Sequence, residues 1–115
     1  HDNGQLQRKG TYKNEEEEGP WVTYYDNGQL KEKGDYKNGL REGPWEFYED
    51  GQLRRKVTYK KEKKEGPSAR YYDNGQLSMK GNYKNGKKEG SWESYDENGQ
   101  SDSYAGTYKN GVKVD

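Results

Sequence analysis

The stretch YYDNGQL stands at residues 24–30 and again at 71–77, with FYEDGQL at 47–53 and YDENGQS at 95–101. Aligned on the turn glycine, the copies fall at Gly4, Gly28, Gly51, Gly75 and Gly99, spaced 24, 23, 24 and 24 residues apart. A fixed period of this length marks a repeat architecture, in which each unit buries its apolar surface only by stacking on its neighbours. Nothing else in the chain limits the fold as strongly.

Each unit reads as two short segments. The first is QLQRKGTYK, QLKEKGDYK, QLRRKVTYK or QLSMKGNYK, and the second is GPWVTYY, GPWEFY, GPSARYY or GSWESY. The first segment alternates, with Leu30, Gly34 and Tyr36 on one face and Lys31, Lys33 and Asp35 on the other. The sets Leu6/Gly10/Tyr12, Leu53/Val57/Tyr59 and Leu77/Gly81/Tyr83 repeat that pattern. Period two over this length predicts a half-buried strand. The remaining position on the same face is Arg8, Glu32, Arg55 or Met79, long side chains whose stems can lie along a sheet.

Glycine inside a strand weakens it unless a neighbouring ring covers the bare backbone. Trp21, Trp45 and Trp92 on the second segments are the rings expected to do so. The KNG turns (Asn38-Gly39, Asn85-Gly86) and the DNG turns (Asn27-Gly28, Asn74-Gly75) supply residues that tolerate positive φ. Turns this short make consecutive strands antiparallel neighbours. The expected product is a meander of about nine or ten strands, about 45 Å long at roughly 4.8 Å per strand. Tyr24, Tyr48, Tyr71 and Tyr95 stand three residues beyond the tryptophan position. Strict alternation puts them on the opposite face, while a bulge would bring them round, and the sequence leaves both open.

Composition agrees with a thin sheet. Hydrophobic residues make up only 24% and charged residues 37%, a balance that usually signals disorder, but twelve Tyr and three Trp raise the aromatic fraction to 14%. The fold class expected is all-β, a single-layer elongated twisted antiparallel meander of stacked hairpins. It is read as one array over 1–115, with units near 4–27, 28–50, 51–74 and 75–98 and a partial unit over 99–115.

The pattern GxYKNGKKEGxWxxYYxNGQL, nearly whole at 81–99 and 34–53, resembles the MORN-repeat variant of bacteria. Chains of this kind often carry the label of YwqK-family antitoxins. The resemblance runs over essentially the whole chain. It implies a one-layer sheet of stacked hairpins, a role in protein interaction or scaffolding, lipid contact as a further property, and no catalytic residues. Departures concentrate in the third unit, where Val57 replaces Gly, Ser68 replaces Trp and Lys61-Glu62 replaces Asn-Gly. Either that unit packs less well or its altered face is the specific one. A looser likeness, to the aromatic hairpin repeats of choline- and glucan-binding cell-wall modules, implies ligands held between rings.

Catalysis is not expected: the sole histidine, His1, is terminal, and Ser68, Ser91 and Ser94 have no base near them in sequence. No metal site or cofactor is expected either. Hard cations want six or more oxygens, and Asp26/Asn27 and Asp73/Asn74 are accounted for by turn chemistry. With no cysteine, neither disulfides nor thiolate metal sites are available.

The row Tyr12, Trp21, Tyr36, Trp45, Tyr59, Tyr83 and Trp92 reads first as the fold's substitute for a core. Rings left uncovered on a one-layer sheet become candidate contacts for a protein partner, and the candidates are Trp21, Tyr24, Trp45, Tyr48, Tyr71, Trp92 and Tyr95. Formal net charge is zero, which gives no global attraction to nucleic acid or an anionic membrane, and neither is expected as a partner. Charge is nonetheless segregated. Residues 1–27 carry three basic and six acidic side chains, residues 51–74 eight and three. An acidic knob (Glu15, Glu16, Glu17, Glu18) and a basic knob (Lys60, Lys61, Lys63, Lys64) should therefore line one rim.

The partners expected are proteins, or further copies of the chain joined edge to edge into an oligomer or filament; the absence of a visible polar cap at either end fits such joining or a place in a longer array. The missing initiator methionine and the absence of cysteine favour an extracytoplasmic or cell-surface setting over the cytoplasm.

Overall fold

The computed structural model describes residues 7–114. Ten strands form one sheet in simple sequence order, every neighbour antiparallel. They are β1 (Gln7–Lys13), β2 (Glu16–Tyr24), β3 (Leu30–Lys37), β4 (Leu40–Glu49), β5 (Gln52–Lys60), β6 (Lys63–Tyr71), β7 (Leu77–Lys84), β8 (Lys87–Ser94), β9 (Gly106–Lys109) and β10 (Val112–Lys113). The molecule measures 46 × 31 × 18 Å, the long axis expected for a meander of this strand number. His1, Gly4 and Leu6 lie outside the described residues.

Two turn chemistries alternate along the chain. The two-residue turns at Asn38-Gly39, Asn85-Gly86 and Asn110-Gly111 hold φ near +52 and +83, the geometry that matches strand twist and that Asn-Gly adopts with least strain. Asn14-Glu15 and Lys61-Glu62 hold the same shape without glycine, Glu15 at φ 67 and Glu62 at φ 73. The other connections, 25–29 and 72–76, are longer. In them Asn27 and Asn74 each accept a bond from the backbone N–H of Gln29 or Gln76 at 2.9 Å, so their side-chain oxygens are consumed by the turn. The one repeat spaced 23 residues is the one whose corresponding connection is a tight Asp50-Gly51 turn. The missing residue was absorbed in the loop and the strands kept their phase.

The tryptophans cover the strand glycines. A Cβ placed on Gly10, Gly34 or Gly81 would lie 2.1, 2.2 and 2.2 Å from the indole of Trp21, Trp45 and Trp92 respectively, so no larger residue fits beneath these rings. A bulge makes the arrangement reachable. Register is lost between Lys9 and Thr11, and between Lys33 and Asp35, so that Gly10 faces Gly19-Pro20-Trp21 and Gly34 faces Gly43-Pro44-Trp45. Gly19 and Gly43 take φ of +76 and +77 there, and proline, which has no N–H to offer a ladder, is tolerated at the same bulge. Each indole Nε1–H then donates to a backbone carbonyl of the first strand: Thr11, Asp35 and Asn82, at 3.0, 3.0 and 3.1 Å.

These rings join a row of edge-to-face contacts. Tyr12 meets Trp21 at 5.1 Å, Trp21 meets Tyr36 at 5.9 Å, and Tyr36 meets Trp45 at 5.0 Å. The row resumes with Tyr83, Trp92 and Tyr108 at 5.1 and 6.3 Å. Between the two stretches lies the third unit, where Val57, only 2% exposed, is paired directly with Ser68.

Successive hairpins are stapled at their turns. Glu18, Glu42, Glu65 and Glu89, each just ahead of the bulge glycine, accept the backbone N–H of Asn38, Lys61, Asn85 and Asn110 in the next turn. On the opposite edge, the hydroxyls of Tyr25 and Tyr72 donate to the carbonyls of Tyr48 and Tyr95.

Candidate functional site

A one-layer sheet leaves two faces, and the candidate contact residues divide between them. Trp21, Trp45 and Trp92 are 4%, 1% and 4% exposed, so they form the core of one face. Trp45 stacks on Phe47, two residues along, so Glu46 and Tyr48 point the other way. The Tyr48 hydroxyl donates to Glu46 Oε1 at 2.7 Å, and Tyr95 makes the same bond to Glu93. Lys9, on the far side from Arg8, lies over the Tyr24 ring at 5.8 Å. The opposite face therefore carries its own tyrosine row, with a register slip just before Tyr24, Tyr48 and Tyr71 that does not bring them round.

That slip has a consequence the alternation pattern did not give. Tyr24, Tyr48 and Tyr71 pair directly with Leu30, Leu53 and Leu77. Residues directly opposite share a face, so these leucines side with the tyrosines and not, as strict alternation predicts, with Gly34, Val57 and Gly81.

On the tyrosine face a shallow depression of about 710 Å³ is bounded by Pro44, Lys56, Pro67, Ala69, Tyr71 and Lys80. Burial together with the bond to Glu46 pushes the Tyr48 phenol up to about 12, and the Glu46 carboxyl is correspondingly lowered, first by Tyr48 and then by Lys33.

The tryptophan face is roofed by cations. Arg8 lies 4.6 Å from the Trp21 ring and Arg41 5.0 Å from Trp45. Lys64 and Lys88 each lie 4.9 Å from a ring, Tyr83 and Trp92. These positions recur by unit. One is Arg8, Glu32, Arg55, Met79; the second is Glu17, Arg41, Lys64, Lys88; the third is Thr23, Phe47, Arg70, Ser94. In the first unit Arg8 pairs with Glu17 at 3.4 Å, and in the second the signs are exchanged, with Arg41 on Glu32 at 3.2 Å. Burial opposes the Arg41 charge, but Tyr36, Glu32 and Tyr59 outweigh it and hold its pKa above the ordinary value.

The third unit breaks the alternation. Arg55, Lys64 and Arg70 fill all three positions with like charge, and Arg55 stands directly opposite Arg70 across β5 and β6. Lys64 and Lys88 both have lowered pKa values, first from burial and then from neighbouring cations, among them Arg70 in each case.

Of the charged knobs, Glu17 and Glu18 are committed to Arg8 and to the Asn38 N–H, and Lys64 lies on the cation-roofed face, whereas Lys60 closes β5, Lys61 sits in the turn and Lys63 opens β6. The expectation of one rim therefore does not hold for Glu17, Glu18 and Lys64. The nine-residue offset between the paired positions was the signal that could have separated them.

A family model for the MORN repeat variant matches residues 1–14, 17–38, 41–61, 64–85 and 88–110. No curated protein matches the chain. The inner matched segments each run from the second strand of one hairpin through the first strand of the next. Repeats of this family are non-enzymatic modules that act as scaffolds for protein or membrane binding. Over nearly its whole length, in matched repeats and in the stacked hairpins they fold into, the chain belongs to the MORN repeat variant family.

Proposed function

We propose that this chain is a non-catalytic scaffold that docks protein partners on the faces of its sheet. The observation that carries the reading is the division of its rings. The tryptophans are spent on covering glycine, while Tyr24, Tyr48, Tyr71 and Tyr95 form a second row, half-buried, with no layer above them. Tyrosine is enriched among residues that dominate binding energies, because it combines a rigid apolar ring with a polar tip. Tyr71 lines depressions of about 710 and 530 Å³, which makes it the first residue to change. Neutralisation of a toxin protein, the role attached to the bacterial resemblance, is one form that such docking takes.

A second reading has its own support. All seven residues of β1 are exposed, and among the described residues nothing pairs with its outer edge. An open edge is a template for another strand, which favours assembly of copies edge to edge. Light scattering over a hundredfold concentration range, at low and high salt, separates the two. A constant monomer mass supports docking of a different protein. Growth into long assemblies sinks that reading and makes β1 the working surface.

A further inference from the structure

The third unit has lost the features that neutralise its neighbours. Its equivalent positions carry Arg55, Lys64 and Arg70, and among the described residues no carboxylate lies within ion-pair distance of any of them, nor of Lys88 on the adjoining hairpin. Like charges directly opposite on neighbouring strands destabilise a sheet, so the Arg55–Arg70 pair is a liability that folding alone does not call for. The two arginines border a depression of about 530 Å³ lined also by Phe47, Tyr71 and the ion pairs Arg41–Glu32 and Arg54–Glu49, whose carboxylates are thereby engaged. Arg54 keeps a buried Nε–H that meets no acceptor. The ring that covers this level in other units is absent, since Ser68 replaces tryptophan and its hydroxyl donates to the Lys56 carbonyl.

We infer that Arg55, Arg70, Lys64 and Lys88 form a docking strip for an acidic segment of a partner protein, held by its carboxylates. The inference rests on the protein-docking reading above and names the chemistry of the partner. Guanidinium groups present a planar fork that matches a carboxylate, and two of them stand side by side here. The four cations do not converge on one point. They are distributed from β5 to β8, roughly 14 Å at the usual strand spacing, which suits successive side chains of an extended chain better than a single phosphate. Aromatic rings beneath them, Phe47 at 4.5 Å from Arg55 and Tyr83 at 4.9 Å from Lys64, hold the cations in place and give the partner's backbone an apolar floor. The chain's own acidic run offers a second copy only Glu15 and Glu16, because Glu17 and Glu18 are already bonded within the sheet.

The probe is a fluorescein-labelled, end-blocked octaglutamate peptide, titrated with the protein at low salt and followed by anisotropy. Binding is expected, weakening as salt rises. The Arg55→Gln/Arg70→Gln double variant should bind at least tenfold more weakly while its denaturation midpoint rises, because the repulsive pair is gone. Arg8→Gln, which removes a cation from the equivalent place in the first unit, should leave the affinity within twofold. Lys64→Gln/Lys88→Gln supplies an independent loss should the arginine variant fold poorly. The proposal is overturned by no binding to the folded protein, by an equal loss with Arg8→Gln, or by anionic phospholipid vesicles or inorganic phosphate binding through the same arginines while octaglutamate does not. It is overturned also by octaglutamate driving self-association, which would make the occupant a second copy. A failed titration with a monomer that holds its mass in light scattering removes the acidic partner and leaves protein docking standing; growth of the mass removes the docking reading itself.

Discussion

The second and third units fill the same space with opposite pairs of residues. In the second, the first strand gives up its side chain at Gly34 and the second strand supplies Trp45, 1% exposed, above it. In the third, the first strand supplies Val57, 2% exposed, and the second strand shrinks to Ser68. The sheet thus asks only that one strand yield where the other projects. What it does not conserve is the ring. Without an indole, the Tyr–Trp contacts break between Trp45 and Tyr83, the ladder pairs one residue further at Val57–Ser68, and the cations above lie around Val57 and Met79, with Tyr83 and Trp92 at the margin. The third unit has kept its packing and changed its surface.

The largest difference between the two units should appear on deleting the bulky partner. Trp45→Ala is expected to destabilise by about 3–5 kcal/mol, as large core truncations do, whereas Ser68→Ala, which removes one hydroxyl bond to the Lys56 carbonyl, should cost about 1 kcal/mol. Denaturant midpoints at constant m-value decide this, and equal costs would mean that the tryptophan is not the core of its unit.

A smaller effect sharpens the contrast between turns. The second unit turns on Asn38-Gly39, but the first turns on Asn14-Glu15, with Glu15 held at φ 67. Glu15→Gly should raise stability by about 1 kcal/mol through relief of left-handed strain, read as a shift of the unfolding midpoint. No change, or a fall, would show that the strain is already relieved.

The smallest effect concerns ionisation. Tyr48 finds Glu46 two residues back, while Tyr71 in the third unit finds Ala69 there. A phenol raised above its ordinary value favours folding while neutral. Its contribution is therefore complete below about pH 10 and is lost as the pH climbs toward about 12. In ultraviolet titration, Tyr48→Phe should lose a tyrosine that ionises well above the ordinary range. An unaltered high-pH limb in that variant would contradict the assignment.

Much of this was legible in the sequence, and for one reason: the repeat forced strand length, turn type and strand order to be written several times over. The covering of Gly10, Gly34 and Gly81 by tryptophan followed from asking why glycine interrupts a strand at all. What escaped depended on register. The Gly-Pro bulge, the staple from Glu18 or Glu65 to the next turn, and the migration of Leu30 to the tyrosine face are fixed by which residue stands opposite which, and period-two alternation cannot see a slip of one. The charge pattern of the third unit was noticed as a basic run, but its meaning needed Arg55 and Arg70 to be placed across from each other and Arg8–Glu17 to be seen as the same pair in balance.

The most direct test of the central claim restores the ring to the third unit. Val57→Gly, Ser68→Trp and the double variant are made, and the unfolding free energy of each is measured in denaturant. Val57→Gly alone leaves a gap, and Ser68→Trp alone meets the Val57 side chain, so each single change should destabilise by about 1–3 kcal/mol. The double variant should recover at least the wild-type midpoint, a strong favourable coupling. Two losses that simply add would contradict the account, because the glycine and the tryptophan would then not be two halves of one packing unit.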